Sequence, residues 1–164
     1  MSLDALSNSL LEARDRRQAL LDALFRAPFS TVLMFGLNLP GEEKEGNRAE
    51  RLFAWGERAL AAAFPAQPVL RRSDRLGHFA LYRSPLAPVE AKRLAVALED
   101  AHPAGRLLDL DVFSAAGRPV DRASLGLPPR PCLLCPEPAL ACIRSQRHTS
   151  QALKAKAHMV IDAI

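Results

Sequence analysis

The chain has 164 residues, of which 49% are hydrophobic and 24% are charged, and its formal net charge is +4. This length and composition predict one domain, residues 1–164, and exclude a disordered chain, in which hydrophobic residues would be scarce. The small basic excess excludes a typical nucleic-acid-binding chain and favours a polyphosphate or an acidic protein surface as the partner.

No membrane or secretory segment is expected. The N-terminal residues lack the basic and apolar pattern of a signal peptide, and no apolar run approaches the ~20 residues that span a bilayer. The three cysteines lie in one CxxC-containing cluster, which is typical of a reducing compartment. We therefore expect a cytoplasmic protein with no membrane partner.

The first part of the chain predicts two helices separated by a buried strand. Apolar residues at spacings of three and four predict a helix over 3–26, although Arg14, Arg16 and Arg17 interrupt its apolar stripe. The apolar run 31–38 predicts a buried strand, and helical spacing returns over 48–63.

The second part predicts a hairpin, a helix, a strand and a final helix. Segments 69–73 and 78–83 flank a turn, Pro88 opens a helix that stops before Pro103, and 106–113 is a strand. The final helix begins at Thr149 or Ser150. About four strands in a small mixed or antiparallel sheet and about four helices predict an α+β fold.

Two aspartates in the strand 106–113 form the first candidate site. Asp109 and Asp111 are two residues apart, so they project from the same face of a strand. Two close carboxylates repel each other unless a cation lies between them, and oxygen ligands suit Mg²⁺. The alternative is a pair of solvated carboxylates at an exposed strand edge.

The segment 126–148 holds the second candidate site. All three cysteines lie here, in the pattern Cys132-x2-Cys135-x6-Cys142-x5-His148. Three thiolates and an imidazole could complete a tetrahedral Zn²⁺ site. Reduced thiols that pack a proline-rich loop, or a CxxC redox pair, are the alternatives.

Basic residues and one histidine are candidates for phosphate binding and proton transfer. Arginine suits phosphate oxygens because its planar group can donate two hydrogen bonds at once. The arginines at 130, 144 and 147 surround the cysteines, and Lys44 follows the first strand in a loop that leads into a helix. Histidine as a residue type suits a general base at neutral pH, and His102 precedes Arg106 and the aspartates.

In this order, the segments resemble the holo-acyl-carrier-protein synthase family of citrate lyase, also called apo-citrate lyase phosphoribosyl-dephospho-CoA transferase. The most specific stretches are AHPAGRLLDLDV and GLPPRPCLLCPEPALACIRSQRH. LLEARDRRQALL, LNLPGEEK and RLFAWGERAL also match. Together they span nearly the whole chain.

The resemblance implies a nucleotidyltransferase-like fold and transfer of a CoA-derived group to a serine of the acyl-carrier subunit, with release of diphosphate. It implies that Asp109 and Asp111 hold Mg²⁺ and that His102 accepts the serine proton. The cations that would neutralise the phosphates are Lys44, Arg51 and Arg106. Those that would hold the donor or the acidic carrier are Arg130, Arg144 and Arg147.

Two other functions stay open at this point. The same chemistry could act on the carrier subunit of malonate decarboxylase, since the donor would be shared and only the acceptor would differ. A non-enzymatic alternative is a zinc-stabilised binding module built on Cys132–His148, which would lose its fold with its metal.

Overall fold

Residues 3–25, 29–41 and 44–164, which a computed structural model describes, form five α-helices and five strands. The helices are α1 (Leu3–Leu24), α2 (Asn47–Ala63), α3 (Pro88–Asp100), α4 (Ala139–Arg144) and α5 (Ser150–Asp162). The strands are β1 (Thr31–Leu37), β2 (Gln67–Asp74), β3 (Gly77–Ser84), β4 (Leu108–Ser114) and β5 (Pro119–Val120). None of the described helices is long and apolar enough to cross a membrane.

One antiparallel sheet organises the fold, with strand order β2-β3-β1-β4-β5. The apolar strand β1 lies at the centre of the sheet, and both faces of β1 are covered, which explains why nearly all of its residues are apolar. Leu33 and Phe35 face the main core, whereas Val32 and Met34 face the opposite layer. A side chain on a neighbouring strand can therefore be assigned to a face from its partner on β1.

Helices cover both faces of the sheet. Helices α2, α3 and α5 supply apolar residues to the main core, in which Phe35 of β1 stacks on Phe53 of α2 with ring centroids 4.6 Å apart. On the other face, Leu21 and Leu24 of α1 pack against Val32. The main core holds most of the buried apolar residues and fixes the position of β4.

Side chains from α3 take the place of a neighbouring strand along the first half of β4. Strand β5 pairs with β4 only at Val112 and Phe113. Before that point, the Lys92 ammonium donates to the Leu110 carbonyl at 2.8 Å, and the Leu110 amide donates to the Glu99 carboxylate at 3.2 Å. These contacts satisfy backbone groups that an edge strand would leave unpaired.

The predicted α+β class is confirmed, with differences in detail. The sheet is wholly antiparallel and gains the short β5. Residues Pro103–Leu107 form a 3₁₀ turn, so β4 begins at Leu108 rather than at 106. Proline at the start of that turn favours helical geometry, and this explains the shift. The helix predicted over 3–26 ends at Leu24, and Arg26 lies outside the described residues.

The hairpin and α4 also differ from the prediction. The two strands of the hairpin extend to Gln67–Asp74 and Gly77–Ser84, because backbone pairing continues up to the turn. The segment 126–138 is loop-like as predicted, but a short helix, Ala139–Arg144, follows it. The likeness to nucleotidyltransferases stays a prediction.

Candidate active site and metal cluster

Asp109 and Asp111 project from one face of β4, as the alternation of the strand predicts. Leu108, Leu110 and Val112 enter the main core, so the two carboxylates lie on the opposite face. Burial, and then the negative charge of Asp109, raise the pKa of Asp111 to about 6. Asp111 therefore keeps its proton up to about pH 6 unless a cation compensates its charge.

Arg130 links the cysteine segment to the strand that carries these aspartates. Its guanidinium donates to the Leu108 carbonyl at 3.1 Å and lies 3.6 Å from the Asp109 carboxylate. It also forms an ion pair with Glu99, whose side chain is only 2% exposed. Three partners thus hold Arg130, and its contacts are with the protein itself.

Glu99 is the buried acid at the centre of this arrangement. Besides the Leu110 amide and Arg130, it accepts a hydrogen bond from Arg122 at 3.0 Å. Arg122 also reaches Asp100 at 3.0 Å. A buried carboxylate needs such partners, since an unpaired buried charge is strongly unfavourable.

The four candidate zinc ligands converge. One ligand atom from each of Cys132, Cys135, Cys142 and His148 lies within 4.8 Å of every other. The sulfurs of Cys135 and Cys142 are 3.5 Å apart, and His148 Nε2 is 3.3 Å from the Cys135 sulfur. The structure thus contains a Cys3His cluster, which we call the thiol cluster, that could hold a metal ion.

The thiol cluster is built on a short hairpin. Pro131 and Pro138 form an isolated antiparallel bridge, and the Cys132 amide donates to the Glu137 carbonyl at 2.7 Å. Burial tends to raise the pKa of Cys132, but hydrogen bonds from the backbone amides of Leu134 and Cys135 and from the neighbouring thiols lower it overall. The hairpin thus favours a thiolate at Cys132.

A cleft of about 620 Å³ lies beside the thiol cluster. The loop after β1, the 3₁₀ turn before β4, the cysteine segment and the start of α5 enclose it. Its lining is mainly apolar and includes Leu107, Leu133 and Leu153. Arg106 is the charged side chain among the described residues that line it.

Arg106 uses only part of its guanidinium in hydrogen bonds to the described residues. Its Nε donates to the Pro131 carbonyl at 2.6 Å, while no described residue binds its terminal nitrogens. Burial, and then the positive charge of Arg130, lower the pKa of Arg106. The pKa of arginine is so high that the group stays charged, and an anion in the cleft would find a donor there.

His102 lies near Arg106 but its ring is engaged in a turn. Nδ1 accepts a hydrogen bond from the Ala104 amide at 3.0 Å, and the ring packs against Trp55 with centroids 5.1 Å apart. In the neutral form, the proton is then on Nε2. A base must present a free lone pair, so the proposed role of His102 requires this turn contact to open.

Lys44 and Arg51 are not brought together with the aspartate pair. The Lys44 ammonium donates to the Leu39 carbonyl, and burial lowers the pKa of Lys44. Arg51 donates to the Ile164 carbonyl. It belongs to α2, which covers the sheet face opposite to the aspartates. Their roles toward phosphate stay predictions.

Arg144 and Arg147 lie at the outer side of the thiol cluster. Both are exposed, and neither forms an ion pair within the part of the chain that the structure describes. Both follow Ile143, which lines the cleft, by one and four positions. Both arginines are therefore available to a partner at the rim of the cleft, unlike Arg130.

Sequence reasoning missed two groups of polar residues that support the site. Lys92 and Glu99 are seven residues apart on the buried side of α3. Their spacing places both within the apolar stripe of the helix, and this pattern could have predicted two buried charged residues. Arg17 interrupts the stripe of α1 and pairs with Asp74 at 2.7 Å. It lies over Phe79, on the same sheet face as the aspartates.

The comparison with known proteins decides the family. A family model described as apo-citrate lyase phosphoribosyl-dephospho-CoA transferase, CitX, matches residues 6–164. The chain belongs to this family. The resemblance predicted from the sequence motifs is therefore confirmed, and the CitX match includes the aspartates, the cleft and the thiol cluster.

Curated relatives carry the same CitX name or a related one. An Escherichia coli O1:K1 protein named apo-citrate lyase phosphoribosyl-dephospho-CoA transferase is 33% identical over 148 residues, which cover 85% of this chain and 79% of that protein. A counterpart from Escherichia coli O8 is 32% identical over the same length. "Protein CitXG" of Haemophilus influenzae is 33% identical over 145 residues, and the match spans 31% of that longer protein.

Proposed function

We propose that this chain transfers the 2'-(5''-phosphoribosyl)-3'-dephospho-CoA group from its triphosphoribosyl precursor to a serine of the acyl-carrier subunit of citrate lyase. The CitX family match over residues 6–164 supports the reaction. The structural observation that carries the proposal is the paired carboxylates of Asp109 and Asp111, which lie on one face of β4. Such a pair is suited to chemistry on a polyphosphate.

The reaction is a substitution at phosphorus. The serine oxygen attacks the phosphorus nearest the ribose, and the bond from that phosphorus to the next bridging oxygen breaks. Diphosphate leaves with the bonding electrons, and the serine proton passes to a base. The product is a phosphodiester between the carrier and the prosthetic group, so no oxidant or reductant is needed.

Mg²⁺ fits the aspartate pair by the chemistry of its ligands. Asp109 and Asp111 offer carboxylate oxygens, and burial together with the charge of Asp109 disfavours the ionised form of Asp111, which a bound cation would offset. When bound, Mg²⁺ would neutralise charge on the triphosphate. The thiol cluster offers sulfur and nitrogen instead, so it suits Zn²⁺ rather than Mg²⁺.

The cleft is suited to bind the dephospho-CoA part of the donor. Its volume of about 620 Å³ is within the range of small-molecule sites. Apolar residues could contact the organic portion, and the terminal nitrogens of Arg106 could bind a phosphate. Arg106 of its lining lies close enough to Arg130 for that positive charge to lower the pKa of Arg106, and Arg130 lies 3.6 Å from the Asp109 carboxylate, which links the cleft to the proposed reaction centre.

The exposed side of α4 is suited to bind the acceptor subunit. Leu140 and Ile143 are 62% and 67% exposed, one helical turn apart. Arg144 and Arg147 adjoin them and are exposed. An apolar pair bordered by arginines suits an acidic protein partner, and Ile143 also lines the cleft from which the serine must be reached.

Mass spectrometry of the carrier subunit tests the function. Purified chain, apo-carrier subunit of citrate lyase, the triphosphoribosyl donor and Mg²⁺ would be combined, and the carrier would be weighed intact. We expect a mass gain equal to the prosthetic group, located on one serine, with one diphosphate released per group attached.

Two matched reactions make a negative result decisive. The Escherichia coli relative, under the same conditions, verifies the donor and the carrier. The apo-carrier of malonate decarboxylase, offered in a separate reaction, distinguishes the acceptors. If the relative modifies the citrate lyase carrier and this chain modifies neither carrier, the proposed function is wrong. Modification of the malonate decarboxylase carrier alone would identify that acceptor instead.

A further inference from the structure

The segment after β4 is long but poorly anchored by apolar contacts. Across residues 115–149, all of which the structure describes, Cys142 is the single buried residue. Hydrophobic burial is the main source of folding free energy, and short segments that lack it usually need disulfides or metal ions. The three cysteines here are free thiols, so no disulfide provides the link.

The geometry of the thiol cluster matches a tetrahedral zinc site. With Zn–S bonds of about 2.3 Å and Zn–N bonds of about 2.0 Å, a tetrahedron has edges of about 3.8 Å between sulfurs and about 3.5 Å between sulfur and nitrogen. The Cys135–Cys142 contact is 3.5 Å and the His148–Cys135 contact is 3.3 Å. All four ligand atoms lie within 4.8 Å of one another.

The backbone around the thiol cluster has the form of a metal-binding turn. The Cys132 amide donates to the Glu137 carbonyl at 2.7 Å and Pro131 pairs with Pro138, so Cys132 and Cys135 lie within one closed hairpin. After α4, Gln146 adopts a left-handed conformation with φ of 48°. Few residues other than glycine do so, and here the reversal returns the chain so that His148 reaches Cys135.

We propose that Cys132, Cys135, Cys142 and His148 bind a structural Zn²⁺ ion that orders one wall of the cleft. Four protein ligands leave no open position, which is typical of a structural rather than a catalytic zinc site. The ion joins the 131–138 hairpin, α4 and His148, which lies two residues before α5 begins. Cys132, Cys142 and His148 also line the cleft, so the metal shapes it directly.

Metal content of untagged protein is the first test. We expect about one zinc per chain by elemental analysis. Cys135→Ser and His148→Ala should lower that content strongly. Ser145→Ala, in the same segment, and His158→Gln, a histidine on α5, are the matched controls and should keep the wild-type content.

A second measurement does not depend on the variants folding. Wild-type protein would be stripped with a chelator under reducing conditions and then titrated with Co²⁺. Tetrahedral thiolate coordination should give sulfur-to-cobalt charge-transfer bands, which Zn²⁺ should abolish when added. Limited proteolysis should cut within 126–148 much faster in the stripped protein than in the zinc-loaded protein.

The outcomes separate this proposal from the proposed function, because neither readout involves transfer. Absence of zinc in the purified protein, together with absence of cobalt–thiolate bands, would overturn the zinc site. A Cys135–Cys142 disulfide in protein as purified, before any chelator treatment and with no zinc bound, would also overturn it, because the disulfide would then provide the link. Zinc binding without any transfer would contradict only the function.

Discussion

The guanidinium of Arg130 lies 3.6 Å from the carboxylate of Asp109 and bonds to the carbonyl of the preceding Leu108 at 3.1 Å. Through this contact, the segment that carries the thiol cluster is attached to the strand that carries the aspartate pair. Glu99 fixes the other side of Arg130. The two candidate sites are therefore mechanically connected, although their ligands suit different metals.

Replacement of either aspartate should abolish transfer while the protein stays folded. Asp109→Asn and Asp111→Asn remove a charge that would hold Mg²⁺ against the triphosphate, and we expect the rate to fall by about 100-fold or more. The rate of diphosphate release, measured alongside circular dichroism, is the readout. Asp15→Asn, an exposed carboxylate on α1, is the control and should be fully active. Wild-type rates in both aspartate variants would exclude the metal role.

The stability of the Mg²⁺-free protein should depend on pH through Asp111. Its pKa is raised from 3.8 to about 6, so between these values the folded state binds more protons than the unfolded state. Stability then decreases as pH rises through this window. Asp111→Asn should remove the penalty, with a gain on the order of 1 kcal/mol above about pH 7, after allowance for solvent screening, and none near pH 3.

Urea unfolding in buffer without Mg²⁺ and without a chelator that would remove zinc, at several pH values, measures this effect. Asp109→Asn is a useful comparison because it removes only the neighbouring charge. Equal urea midpoints for wild type and Asp111→Asn above about pH 7 would show that ionisation of Asp111 does not destabilise the folded state.

Loss of Glu99 should destabilise the fold. Glu99→Ala leaves Arg122 and Arg130 without their buried partner and the Leu110 amide without its acceptor. We expect a cost of about 3 kcal/mol in the free energy of unfolding. Glu90→Ala, at an exposed position of the same helix, should change it by less than about 0.5 kcal/mol. If both variants changed the free energy of unfolding equally little, the stabilising role of the buried Glu99 contacts would be contradicted.

Arg106 should act on donor binding. Arg106→Ala removes the partly buried cation of the cleft, and we expect KM for the donor to rise about tenfold or more. Steady-state kinetics that separate KM from kcat measure this effect. Arg106 also bonds to the Pro131 carbonyl beside Cys132, so the zinc content of the variant is measured to check that the thiol cluster is intact. Arg58→Ala, on the exposed side of α2, is the matched control. An unchanged KM would remove Arg106 from the donor site.

The sequence by itself determined the family, the α+β class and the side-by-side placement of Asp109 and Asp111. These depend on motifs and on local periodicity, in which a strand alternates every two residues and a helix repeats at three and four. Periodicity was less informative where prolines are dense, so it predicted neither α4 nor the 3₁₀ turn before β4.

Only the tertiary structure decided which charged residues meet. It placed Arg130 against Asp109 and Glu99, left Arg144 and Arg147 exposed, and put Arg51 on the opposite face of the sheet. It also brought His148 to Cys135 across thirteen positions of the chain. Such contacts depend on how elements pack and where loops reverse, and residue type and spacing do not specify either one.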